Sequence, residues 1–177
     1  QCTGTSAGGT GQDTGCRGKV KSITNAMGQT TYFDAYDAHG RATFIRAHDG
    51  LSTEMRYTPR GWLTSMSVNG RATTYNYDGI GLLKTATLPT GTTLSYTYDS
   101  AHRLTAILDN AGNSIEYLLD NAGNRISEIV KDPAGNVKQQ LSRIYNNLNW
   151  LKQVTEASKD GSQDMTTRFG YDAQGNR

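Results

Sequence analysis

The sequence predicts an all-β protein in which repeated antiparallel β-hairpins join side by side into a curved, spiralling sheet. Three observations predict it. A tyrosine followed by a turn-forming tetrapeptide returns at a spacing near 21 residues. Glycine reaches 20 of 177 residues while only 35% of the chain is hydrophobic, which favours many short elements with frequent turns over a few thick helices around one core. The stretches between the turns are of strand length and rich in Thr, Tyr and aliphatic residues.

Residues 1–17 stand apart as an irregular, Gly/Thr-rich segment or loop, CTGTSAGGTGQDTGC between Cys2 and Cys16 preceded by Gln1 and followed by Arg17. A disulfide between the two cysteines would close this loop and, in the chain-entropy model, contribute about 3 kcal/mol, as suits an exported protein. Two unpaired thiols in a disordered end are the other reading. The cysteines are too far apart in sequence, with no histidine near them, to read as a zinc site.

From residue 18 to residue 177 the chain reads as an array of about seven units, truncated at both ends. Anchors fall at Tyr36, Tyr57, Tyr77, Tyr98, Leu119, Tyr145 and Tyr171, so the steps are 21, 20, 21, 21, 26 and 26 residues, the last two units carrying insertions. The first anchor leads into Asp37-Ala38-His39-Gly40, with Asp at the first corner and Gly at the fourth, the preference of a type I turn entering a bulged hairpin. The arm RATFIRA leaves it, and Asp49-Gly50 turns the chain back. Tyr57 leads into Thr58-Pro59-Arg60-Gly61, where Pro at the second corner has its φ already set. Asn69-Gly70 follows; like Asp49-Gly50 and Asp160-Gly161 it is a dipeptide of narrow, two-residue hairpins, in which both corners take positive φ.

The next units repeat the scheme. Tyr77 precedes Asp78-Gly79-Ile80-Gly81 and the arm LLKTATL; Tyr98 precedes Asp99-Ser100-Ala101-His102, with His in place of Gly, and the arm RLTAIL. Leu119 precedes Asp120-Asn121-Ala122-Gly123, and Asp132-Pro133-Ala134-Gly135 reads as a further wide turn. Residues 138–159 contain neither Gly nor Pro, and Trp150, Val154 and Ala157 follow a helical spacing; either a helix lies here or a longer hairpin turning at Asn146-Asn147-Leu148-Asn149. Tyr171 leads into Asp172-Ala173-Gln174-Gly175.

All ten tyrosines lie in arms that enter a wide turn, and the pairs Tyr75/Tyr77 and Tyr96/Tyr98 are spaced so that both members share a strand face. A ladder of aromatic rungs across neighbouring strands accounts for the stripe, each pair contributing roughly 0.2 to 1 kcal/mol. The functional alternative is a platform that stacks sugars or single-stranded nucleic acid. Seven hairpins make about fourteen strands, or roughly 65 to 70 Å of sheet along the hydrogen-bonding direction. Strands twist, so a sheet of that extent coils into a solenoid, a spiral wall or an open barrel with a shallow core on one face.

The 18 Lys and Arg nearly balance the 16 Asp and Glu and are scattered singly, which argues against a nucleic-acid or anionic-membrane partner. No stretch approaches the roughly 20 apolar residues of a membrane span, and no secretory leader is legible. The sequence begins at Gln1 and stops at Arg177 within a unit, so it reads as a piece of something longer. There is no P-loop, nucleophile elbow or HExxH motif, and Gly9-Thr10-Gly11 lacks a third Gly and a preceding strand, so neither catalytic residues nor a cofactor are expected. The DNAGN strings at Asp109 and Asp120 hint at calcium loops but offer too few ligands, and His39, His48 and His102 read as solvated turn residues rather than a metal or catalytic cluster.

The Tyr-Asp pair followed by two residues, Gly and often Arg, as in YDAHGR from Tyr36, resembles the YD repeats of the Rhs (rearrangement hotspot) proteins, relatives of insecticidal toxin complex shell subunits, wall-associated toxins and teneurins. The resemblance runs from about Gly18 to Arg177. It implies a β-sheet that spirals into a hollow shell around a toxin segment at the C-terminal end of the full polypeptide, in bacterial members that are exported, often by type VI secretion, and used in competition. Its partners would be flanking repeats and the enclosed toxin. Thr58, Asn146 and Leu119 break the pair and His102 replaces the turn glycine, as degenerate units of such arrays do. Asp132-Pro133-Ala134-Gly135 looks like the family's self-cleavage site, but its surroundings do not continue that pattern and an ordinary turn fits it. Two function classes stand: wall material of an encapsulating shell, or an extracellular adhesion or carbohydrate-binding surface with a glycan partner. Unpaired sheet edges would invite edge-to-edge self-association.

Overall fold

The computed structural model describes residues 18–158 and 162–177. Cys2, Cys16 and the Asp160-Gly161 turn lie outside them. Among the described residues, fourteen antiparallel strands follow one another in chain order, β1 through β14, the number that seven two-stranded units require. The chain divides into two units, residues 1–76 with 87–91, and residues 77–86 with 92–177.

The first unit holds β1 (Ser22–Thr24), β2 (Thr30–Tyr36), β3 (Ala42–Arg46), β4 (Ser52–Tyr57), β5 (Leu63–Val68) and most of β6 (Arg71–Tyr77). Its registers set Phe33 opposite Ile45, Ile45 opposite Thr53, and Met55 opposite Met66. One face therefore collects Phe33, Ile45, Met55 and Met66, while Arg46, Glu54, Arg56, Ser65 and Ser67 point to the other, as the two-residue period of a strand dictates.

The second unit holds most of β7 (Leu83–Thr87), then β8 (Thr93–Tyr98), β9 (Leu104–Asp109), β10 (Ser114–Leu119), β11 (Arg125–Lys131), β12 (Val137–Tyr145), β13 (Leu151–Glu156) and β14 (Met165–Arg168). A row of Tyr96, Ile107, Ile115 and Val130 crosses four strands on one face. On the opposite face Ser127, Ser142, Thr155 and Thr166 stand in register across another four. Residues 138–159 contain no helix where described: β12 and β13 form the longer hairpin and turn at Asn146–Asn149. The helical spacing of Trp150 and Val154 is overridden because the Asn146 side chain and Asn149, at φ 60°, close a hairpin turn there.

The wide turns are of one kind. In the first, Asp37 N–H donates to the Arg41 carbonyl and Gly40 N–H to the Asp37 carbonyl, both at 2.9 Å. The last residue needs a left-handed backbone, which Gly40 supplies at φ 79° and His102 at 63°. Register slips just before Tyr36, Tyr57, Tyr98, Leu119 and Tyr145, the bulge expected beside such a turn.

Of the two described narrow turns, one meets the expectation and one departs from it. Asn69-Gly70 is a two-residue turn with both φ positive, at 47° and 79°. Around Asp49-Gly50 only Gly50 has positive φ: Ala47 is the first corner, Gly50 N–H donates to its carbonyl, and Asp49 accepts from Leu51 N–H instead. Asp132–Gly135 has wide-turn geometry yet alternates with the anchored turns, in the same phase as Asp109–Gly112.

Among the described residues the only buried hydrophobic one is Ala86, at 4% exposure. The other apolar side chains on the sheet faces are half-buried or exposed, because a single sheet offers neighbours along its face but no second layer above it.

Candidate functional site

Chemistry-bearing side chains gather at the anchored turns. Five anchor tyrosines bond a backbone carbonyl upstream: Tyr57 to Ala42 at 3.3 Å, Tyr98 to Leu83 at 3.0 Å, Tyr145 to Arg125 at 3.3 Å, Tyr171 to Leu151 at 2.9 Å, and Tyr36 to Val20. The accepting residue in most of these sits at or beside the start of the strand after the previous wide turn, so the phenol ties consecutive turns together. Three anchors meet partners that are not tyrosines. Tyr36 stacks on Phe33 at 6.5 Å, Tyr171 meets Trp150 at 5.3 Å, and the Arg41 guanidinium lies 4.6 Å over Tyr57. Tyr77 ends β6 and Leu119 ends β10, each at the equivalent place.

The first-corner aspartates use one carboxylate oxygen to close the turn. Asp37 Oδ1 accepts from His39 and Arg41 N–H, Asp99 Oδ1 from Ala101 and Arg103 N–H, and Asp78 Oδ1 from Ile80, Gly81 and Leu82 N–H. Asp120 and Asp172 do the same toward Asn124 and Asn176, while Gly61, Gly81, Gly123 and Gly175 carry the positive φ. The second oxygen takes a side chain: Arg41 Nε at 2.6 Å on Asp37, Arg103 Nε at 2.7 Å on Asp99, and Asn124 and Asn176 Nδ2, both at 2.9 Å, on Asp120 and Asp172.

These bonds favour the ionised carboxylate. The Arg103 backbone N–H, followed by its guanidinium, holds Asp99 below the usual range. The amides of Asn113, Asn124 and Asn176 lead in doing the same for Asp109, Asp120 and Asp172. At Asp132 the Lys138 ammonium, 2.8 Å away, leads, with Asn136 second. At Asp37 and Asp78 partial desolvation is the largest single influence and acts upward, but the combined N–H donors, joined at Asp37 by Arg41, win. Burial raises the Tyr98 hydroxyl, with Tyr96 and Asp78 adding to it.

Sequence reading found the anchors and corners but missed the residue after each wide turn, Arg41, Trp62, Leu82, Arg103, Asn124, Trp150 and Asn176. Its signal was legible as the Arg of YDAHGR; what was lacking was the geometry that gives that position a target. His39 and His102 sit in wide turns and His48 in the Ala47–Leu51 turn, and no group of three or more described His, Cys, Asp or Glu residues has metal-binding proximity. An open hollow of about 420 Å³ is lined by Ile144, Tyr145, Asn146, Asn147, Leu148 and Lys152.

The RHS Repeat family model matches residues 77–114 and 98–137. No curated protein matches the chain. Among solved structures, TcdB2-TccC3-TEV superposes with a TM-score of 0.70 at 17% identity, over 92% of this chain and 10% of that one. TcdB2-TccC3 without its hypervariable C-terminal region gives 0.58 at 14% identity, over 84% and 10%, and a Photorhabdus luminescens Tc holotoxin pore gives 0.54 at 14%, over 79% and 9%. The chain thus spans about a tenth of the length of the chains whose fold it shares.

Proposed function

The chain is an Rhs-type YD-repeat array, and from that premise we propose that it is wall material of a β-sheet shell which encloses a C-terminal toxin segment in an exported bacterial polypeptide used in competition. It acts by topology: the sheet separates an enclosed segment from proteases and solvent, and no residue of the array performs chemistry. The observation that carries this reading is the two-sided sheet with Ala86 as its only buried hydrophobic residue among those described. Sheet one layer thick, with an apolar row on one face and a polar row of charged or hydroxyl side chains on the other in each unit, suits a partition between two environments better than a self-contained core. Flanking repeats would pair with the outer edges of β1 and β14, and the similarity to TcdB2-TccC3 supports that arrangement.

Protection is the property to measure. In the full polypeptide carrying this array, trypsin should leave segments downstream of the repeats intact until denaturant opens the sheet. Digestion of those segments at the rate of an unfolded peptide, together with saturable binding of the chain on a glycan array, would favour the adhesion reading instead.

A further inference from the structure

The residue that follows each wide turn performs a task the turn itself does not require. The turn is closed by a single oxygen of its first corner: Asp37 Oδ1 accepts from Arg41 N–H at 3.0 Å, Asn146 Oδ1 from Trp150 N–H at 2.9 Å, and Thr58 Oγ1 from Trp62 N–H at 3.1 Å. What differs is the rest of the corner side chain. Aspartate leaves a second acceptor, and Arg41, Arg103, Asn124 or Asn176 donates to it. Threonine carries a methyl there and asparagine an NH₂, neither of which can accept, and after both of these corners the residue is Trp. Asp78, followed by Leu82, is the exception among the wide turns.

The same side chains also reach forward to the next wide turn. Arg41 Nη1 donates to the Thr58 carbonyl at 3.3 Å while its guanidinium covers Tyr57. Arg103 Nη1 donates to the Asp120 carbonyl at 2.9 Å, and Asn124 Nδ2 to Asn149 Oδ1 at 3.0 Å. Trp150 lies against Tyr171 and stands where a side chain on Gly175 would begin, 3.0 Å from that point. Four described wide turns are thus linked to the turn that follows, always in the N-to-C direction.

We propose that the residue after a wide turn, Leu82 excepted, is a coupler that ties that turn to the next, in two interchangeable forms: a polar one matched to an Asp corner and an aromatic one matched to an uncharged corner. The corner selects the form because an aspartate facing Trp would leave its second oxygen without a donor, and an Arg facing Thr or Asn would lose its orienting carboxylate. The array consequently has joints of different character. Arg41 and Arg103 make ionic joints that added salt weakens, whereas the Trp150 joint rests on ring contact that salt leaves intact.

The test exchanges the two forms in the full chain and reads amide hydrogen exchange one turn ahead. Arg41→Trp alone should speed exchange at Gly61, whose N–H bonds the Thr58 carbonyl, by about tenfold, and adding Asp37→Asn should restore it to within about threefold of the parent. The reciprocal pair, Asn146→Asp with Trp150→Arg, should do the same at Gly175. Gly50, which lies between Arg41 and Tyr57 in sequence but in a turn of the other phase, should not respond. Raising salt from 0.05 to 1 M should speed Gly61 and spare Gly175. Strictly additive effects in both swaps, an equal response at Gly50, or two double variants that fail to fold would each overturn the coupler. Where a single variant alone fails to fold, folding of its double is the rescue that the proposal expects.

Discussion

The Tyr98 hydroxyl donates to the carbonyl of Leu83 at 3.0 Å across 15 residues of sequence. A phenol is the natural carrier of such a tie, because its ring lies along the half-buried sheet face while its tip stays polar. Tyr98→Phe keeps the ring and removes the donor, so it should cost about 1 kcal/mol, the net worth of a hydrogen bond. Tyr98→Ala should cost about 2 kcal/mol or more by also vacating the ring's place. Urea unfolding of the two variants distinguishes them. A Tyr98→Phe variant as stable as the parent would mean that the hydroxyl contributes nothing.

The turn carboxylates make the array acid-sensitive. Asp99, Asp109, Asp120 and Asp172 have folded pKa values below the ordinary aspartate value of 3.8, so near and below that value the unfolded chain binds more protons than the folded one. Their stabilisation is present in full above about pH 5 and is lost as the pH falls through 3.8 toward the folded values. The urea midpoint should therefore be flat between pH 6 and 8 and should fall steadily below pH 5. Asp99→Asn should lower the midpoint at pH 7 and reduce its decline under acid; an unchanged slope would remove Asp99 from the account.

How much of this was legible in the sequence follows from which forces are local. The corners could be read because Asp37, Gly40 and their equivalents are chosen by backbone geometry within five residues, and the strand count followed from the period. The narrow turns were misread at Asp49 because a dipeptide fixes which residues tolerate positive φ, not where the hairpin register places the corner; Ala47 became the corner once β3 and β4 paired. The segment from 138 to 159 was ambiguous for a related reason. Its 3.6-residue spacing is real, yet pairing of β12 with both β11 and β13 outweighs a helix that would be isolated. The roles of Arg41 and Trp150 were invisible because their targets, Thr58 and Tyr171, lie a whole unit away.

His102 occupies a left-handed position at φ 63° that Gly fills in most sister turns. A side chain costs about 1–2 kcal/mol there, and glycine returns about 0.5–1 kcal/mol of that as unfolded-state entropy. His102→Gly should therefore raise stability by about 0.5–1 kcal/mol. Gly123→Ala makes the converse change at φ 90°, where the nearest atom to a new Cβ is Arg103 Cδ at 3.8 Å. Space is available, so its cost of about 1 kcal/mol or more would be backbone strain. Thermal unfolding of both variants reads the two signs, and a destabilised His102→Gly would show that the imidazole makes compensating contacts.

The Asp132-Pro133 bond should remain intact. Autocleavage led by an aspartate needs a carboxyl free to attack or to exchange a proton, and the Asp132 carboxylate is committed on both oxygens. Oδ1 accepts from Ala134 and Asn136 N–H at 3.0 and 2.8 Å, and Oδ2 from Asn136 Nδ2 at 3.0 Å and Lys138 Nζ at 2.8 Å. Those donors stabilise the charged form, so at neutral pH the carboxyl is ionised and has no proton to donate. After prolonged incubation at pH 7, intact-mass measurement should find one species of 19.3 kDa. Asp132→Ala should lower stability through the lost turn bonds without changing that mass pattern. A fragment ending at residue 132 in the parent, absent from the variant, would make the turn a processing site.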